Sequence, residues 1–285
     1  MASDQQANGG KTSQGKNSGK AVKQASLTDK SVETGSWFRS ALGRYLLRVE
    51  KLAVTKAISR FFGYHQLEVL LREDLAVGES SLLGHRIIAI PKLNSDSIPE
   101  QWTHHHQGEE GVVLCLADEL PFANDSINLV ILHHTLDTNS NPHQTLREVC
   151  RVLRSGGHIV IVGFNPFSSW GLRKLINRSK KVPWSNRFLT PHRLEDWLSL
   201  LDFQTSFVSH QFYLPPISKL NWLRRFGFLE KLGQRLRLPL GAFYVIQAQK
   251  RVAGSIAQKP LWHRRSITSM ATVHQFTPHE DDEKS

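Results

Sequence analysis

Short apolar runs recur along this chain, separated by turn residues and by stretches with helical spacing. HQLEVLL, RIIAI, VVLCLA, INLVIL, HIVIVGF, TSFVSHQFYL and AFYVIQAQ read as strands. VVLCLA and INLVIL are nearly all apolar, as strands covered on both faces should be. Between them, Pro121 and Asn124-Asp125 mark a turn. Upstream, WFRSALGRYLLRVEKLAVTKAISRFFG places Phe38, Leu42, Tyr45, Leu46, Val49, Leu52 and Ala53 three and four residues apart, predicting an amphipathic helix that ends near Gly63. Asn141-Pro142 opens a second helix, with Leu146, Val149, Cys150 and Leu153 on its inner stripe and Gly156-Gly157 as a left-handed stop. Thr190-Pro191 opens a third, with Leu194, Trp197, Leu198 and Leu201 inward. A basic helical stretch is expected from Leu220 to Leu236. The alternation predicts an α/β fold: a doubly wound, mostly parallel sheet with an antiparallel last strand. Polar pairs at the strand ends, Ala117-Asp118 and His133-His134, mark the edge at which such sheets bind ligands.

Composition changes this picture mainly at the ends. Residues 1–35, rich in Gly, Ser, Gln, Asn and Lys, are expected to be a disordered tail, as are residues 252–285; the domain between them spans 36–251. Hydrophobic residues make up 40% and charged residues 21%, an ordinary globular balance. No apolar run reaches the roughly 18 residues that a membrane span requires, and the first thirty residues lack the apolar centre of a secretory signal. Cys115 and Cys150 lie in apolar patterns and read as buried thiols, so the expected compartment is the cytoplasm. A net charge of +11 favours polyanions such as nucleic acid or an anionic membrane surface without specifying either.

ADELPFANDSINLVILHHTLD followed by LREVCRVLRSGGHIVIVGF resembles the S-adenosylmethionine-dependent methyltransferases of the Rossmann-like class, type 11-like domain. The resemblance is firm over residues 112–164 and looser on either side. It implies S-adenosyl-L-methionine as cofactor. It also implies that the acid after strand three, Asp118, contacts the adenine amino group, with Glu119, Leu120 and Pro121 beside it. Leu71 and Gly78, in the connection after strand one, are the remaining cofactor candidates. His133 and His134 stand where the family brings cofactor and acceptor together; strand alternation predicts that one of them faces the crevice, where a neutral imidazole could accept a proton. The family's closely spaced glycines are missing: the chain reads LEVLLREDLAVGESS after strand one, and strand two ends in Ile90-Pro91-Lys92 in place of a ribose-binding acid.

Other motifs carry less. His104-His105-His106 lies in a polar loop with no ligand partners at metal spacing, so no metal is expected. Asn165-Pro166-Phe167 reads as a turn. Arg173, Lys174, Arg178, Lys180, Lys181 and Arg187, beside Trp170 and Trp184, form either a solvated basic face or a surface for an anionic partner. Two functions remain open: a methyltransferase whose acceptor is a small molecule or a macromolecule, or a catalytically inactive methyltransferase-fold scaffold with a basic anion- or RNA-binding surface.

Overall fold

A computed structural model describes residues 30–91, 110–177, 182–216, 232, 233, 235, 236 and 238–252. Order begins earlier than the composition predicts. Residues 30–37 form a helix (α1) in which Thr34 is fully buried and Ser31 nearly so, correcting the expected tail of 1–35. The rest of that tail, nearly all of 252–285, the His104–His106 tract, and most of the expected helix at 220–236 lie outside the described residues.

Helix α2 (Ala41–Ile58) starts at Ser40, whose hydroxyl accepts the Gly43 N–H. Seven strands follow: β1 (His65–Val69), β2 (His85–Ile90), β3 (Glu110–Leu114), β4 (Ile127–His133), β5 (Leu153–Phe164), β6 (Phe203–Gln211) and β7 (Phe243–Lys250). They form one sheet in the order β3-β2-β1-β4-β5-β7-β6. Strands β1 to β5 pair in parallel, and β7 runs antiparallel between β5 and β6. This is the doubly wound, mostly parallel fold that the alternation of elements predicts. Between β4 and β6 come a single turn, α3 (Thr135–Thr138), then α4 (Pro142–Val152), α5 (Ser169–Asn177) and α6 (Pro191–Leu200).

Alternation sorts the core into two layers. Val130 and Leu132 face α4 and α6 with Leu146, Val149, Leu194 and Leu198; Leu129 and Ile131 face α2 with Leu46, Val54 and Ile58. The inner stripe of α2 is shifted from the expected one. Leu42, Leu46 and Ala53 are buried, whereas Tyr45 and Leu52 face solvent and Glu50 is fully buried. Helix α4 ends at Val152, before the Gly-Gly pair. Gly156, with φ of +77°, serves instead where β5 slips register against β4.

The connection from β1 to β2 decides the shape of the ligand edge. Parallel neighbours are usually joined through a helix; here residues 70–84 hold only a 3-10 turn, Glu73–Leu75. Glu68, fully buried on β1, holds the loop down. Its carboxylate accepts the N–H groups of Val77 (3.0 Å) and Gly78 (3.1 Å), together with Gln66 Nε2 (2.8 Å) and Arg86 Nε (2.6 Å). A side chain at Gly78 would collide with Gln66, Glu68 and Ile131. The Gly78→Ala variant is therefore expected to lose about 1–3 kcal/mol of stability in denaturant titration, an outcome that a glycine serving only a ligand would not produce.

Candidate functional site

Strand order reverses between β1 and β4, and the loops leaving their carboxyl ends diverge there. A crevice opens at this point. Its apolar walls come from Val69, Leu71, Ile90, Pro91, Cys115 and Leu116, and its polar rim from Asp118, Glu119, Thr135, Asn139 and Ser31 of α1. Burial pushes the Cys115 thiol up to about 11, so it stays protonated. Asp118 follows β3 on a tight turn closed by a bridge between Leu116 and Glu119, and its half-buried carboxylate has no hydrogen-bond or ion-pair partner among the described residues. A desolvated acceptor of this kind can receive a hydrogen bond from an amino group.

The expected cofactor residues separate into two groups. Leu71, Asp118 and Glu119 line the crevice. Leu120 does not: it packs into the core while its N–H donates to Glu148 at 3.2 Å. Pro121 is exposed outside the crevice. Gly78 lies under Glu68, away from the crevice wall.

The histidine pair also stands elsewhere than expected. His133 and His134 are both fully buried, so neither faces the crevice as a proton acceptor. The reason is local. His133 ends β4 on the α2 side, and His134 takes a left-handed conformation, φ +53°, which breaks the alternation and turns its ring to the same side. Both rings meet Glu50 of α2. His133 Nε2 lies 2.9 Å from one carboxylate oxygen and His134 Nε2 2.9 Å from the other. Asp137 takes His134 Nδ1 at 2.8 Å and the Phe164 N–H at 3.0 Å. Rings of Phe38 and Phe164 flank His134, with Phe164 stacked at 4.1 Å.

Charge follows from this geometry. Burial opposes ionisation of Glu50, but the His134 charge and the two histidine bonds outweigh it and lower its pKa to about 2. Burial likewise opposes the His134 cation, but Glu50 and Asp137 outweigh it and raise its pKa to about 9. Burial dominates at His133, whose pKa falls, leaving it neutral. The ligand-type atoms of Glu50, His133 and His134 lie within 4.8 Å of one another. A cation among them would require His133 to carry its proton on Nδ1, where no acceptor lies among the described residues; with Nε2 donating to Glu50, that nitrogen keeps only a lone pair. The arrangement is thus a hydrogen-bonded triad around a buried imidazolium.

Its role is to set the crevice floor. With Asp137 fixed, α3 is fixed, and Thr135 donates to the Val69 carbonyl at 2.6 Å, tying the ends of β1 and β4 together. Nothing in the hydrophobic pattern assigns Glu50 to this task. Its one signal is a carboxylate at i+4 from Leu46 and i−4 from Val54, on the buried stripe of α2. Because His134 is raised on folding, its contribution to stability is fully present below pH about 6.5 and is lost as pH rises through about 9. Thermal melts are expected to fall between pH 7.5 and 10, and His134→Gln should flatten that slope. Glu50→Gln should destabilise the protein by roughly 3–5 kcal/mol, since it leaves a buried cation short of a partner.

Residues 88–161, from β2 to β5, match the family model described as a methyltransferase domain. The chain is 36% identical over 180 residues to an uncharacterized protein, YafS, of Escherichia coli strain K12, an alignment that covers 60% of this chain and 71% of that protein. Among solved structures, a Thermotoga maritima S-adenosylmethionine-dependent methyltransferase, described as a possible histamine N-methyltransferase, superposes with a TM-score of 0.56 at 18% identity, over 80% of this chain and all of that one. A complex between a methyltransferase activator from Haloferax volcanii and a methyltransferase gives 0.54 at 11%, over 77% of this chain and 96% of the other. These two likenesses concern the fold. With the relative beside them, the chain belongs to one family with YafS, and its residues 88–161 carry the pattern of a methyltransferase domain.

Proposed function

We propose that the protein is a methyltransferase that binds S-adenosyl-L-methionine in the crevice at the ends of β1 to β4. The observation that carries this reading is the Asp118 carboxylate, without a partner among the described residues, at the polar rim of an apolar-walled crevice that opens where the strand order reverses. The residues present suit the nucleoside end. Asp118 would accept from the adenine amino group, while Leu71, Ile90, Pro91 and Leu116 would exclude water from the ring faces. Thr135, Asn139 and Ser31 would face the more polar end. Bound there, the cofactor would supply a methyl group on a sulfonium for in-line displacement by a nucleophile of the acceptor. The chain's own part is positioning: β4 and α3, braced by Glu50, would hold the crevice floor still while donor and acceptor meet. The buried histidines have no access to an acceptor proton and act only through that brace.

A second reading is favoured by a different observation. Where the family places glycines after β1, this chain has Leu70, Leu71 and Arg72, and the Val69 carbonyl is occupied by Thr135. The crevice encloses about 120 Å³, against roughly 300–1,000 Å³ for typical small-molecule sites. On this reading the domain is an inactive scaffold.

Calorimetric titration with S-adenosylmethionine and with its demethylated product separates the two. The enzyme reading predicts saturable binding that weakens roughly 10- to 100-fold in Asp118→Ala, the loss of one charge-assisted hydrogen bond of about 1.5–3 kcal/mol, with the melting temperature unchanged. An absence of heat at millimolar ligand would favour the scaffold.

A further inference from the structure

We propose that the outward face of α5, with the apolar groove beside it, is a docking surface for an anionic lipid bilayer. Helix α5 is built the wrong way round for a helix that only covers a core. Trp170 is fully buried and Gly171 presses against the Pro166 backbone, which accounts for the inward side. Leu172, Leu175 and Ile176, at i, i+3 and i+4, then form a stripe on the other side and are 56%, 76% and 75% exposed. Phe167, in the turn before the helix, is 67% exposed. A groove of about 930 Å³ runs alongside, lined by Phe167, Leu172, Leu175, Tyr213, Leu238 and Leu240. Single exposed leucines need no explanation, but a contiguous stripe opening onto an apolar groove marks an interaction site.

Charge selects the partner. Residues 165–194 contain seven Lys and Arg and no Asp or Glu. Two of these cations sit on α5 and are held in place. The Arg173 guanidinium lies 4.6 Å from the Trp184 ring and donates to the Pro216 carbonyl; the Lys174 ammonium lies 4.5 Å from the Phe188 ring and donates to the Asn186 carbonyl. Lys30 and Arg187 are near enough to act on Lys174 as like charges, and the buried Asp137 is the acid that acts on it. Apolar residues on a solvent-facing helix, flanked by fixed cations and aromatic rings, match the requirements of a surface helix lying in an anionic lipid interface. Nucleic acid would use the cations and leave the apolar stripe in water. Among the described residues no helix is long and apolar enough to cross a membrane, and the proposed contact is with the bilayer surface. The proposal does not depend on the cofactor reading.

The test is flotation of the full chain with vesicles of phosphatidylcholine alone and of phosphatidylcholine with phosphatidylglycerol. The protein is expected to float with the anionic vesicles and much less with the neutral ones. The double variant Leu175→Glu/Ile176→Glu is expected to reduce the bound fraction at least about fivefold while melting as the wild type does. Should the charged pair disturb folding, Leu175→Ser/Ile176→Ser replaces it. Three results would overturn the proposal: no binding to anionic vesicles, equal binding by the folded variant (which would place attachment elsewhere on the basic chain), or binding that a short RNA abolishes and the α5 variant does not change.

Discussion

A carboxylate sealed from water must find donors or unfold its surroundings, and Glu50 meets that demand with two imidazoles from another element. The consequence is positional. Helix α2 is pinned to the end of β4, the left-handed turn at His134 is held, and Asp137 is placed to receive Phe164 at the end of β5. The three strands' worth of chain that meets at the ligand edge is thereby tied through one negative charge. Glu68 acts in the same way one strand over, fastening a loop where related folds would carry a glycine turn and a helix. Glu50, Glu68 and Asp137, all buried, therefore do structural work around the crevice at whose rim Asp118 stands.

This division accounts for how the loop after β1 is held without a glycine-rich turn. A glycine loop brings backbone N–H groups to a ligand by removing side chains. Here the N–H groups of Val77 and Gly78 are turned inward to Glu68, so that contribution is missing and Leu71 takes the wall position instead. Binding would have to rest on the far side of the crevice, on Asp118 and the apolar surfaces of β2 and β3. A cofactor site weighted toward the nucleoside end should discriminate strongly on the adenine amino group and weakly on the amino-acid end.

The sheet was legible in the residue pattern because each parallel strand, covered on both faces, has to be almost wholly apolar, and its polar end has to mark the open edge. The position of Asp118 at the open edge was legible for the same reason. The α2 stripe was not, because a stripe drawn by hydrophobicity takes in Leu52 and passes over Glu50, two residues away on nearly the opposite side of the helix; the histidines across the interface make the acid the buried one. Alternation failed at His134 because a single residue with positive φ reverses the side of the strand, and nothing in a His-His pair announces it. The buried role of Gly78 was equally hidden, since it depends on a carboxylate ten residues earlier.

On the proposed reading, Asp118 faces a purine bound in the crevice at the ends of β1 to β4. A crystal structure of the protein soaked or grown with S-adenosylhomocysteine tests it most directly. The adenine amino group is expected within hydrogen-bond distance of the Asp118 carboxylate, with Leu71 and Pro91 against the ring. The nucleoside seated elsewhere, or the crevice still closed by Leu71 and Ile90 with ligand present at millimolar concentration, would contradict it.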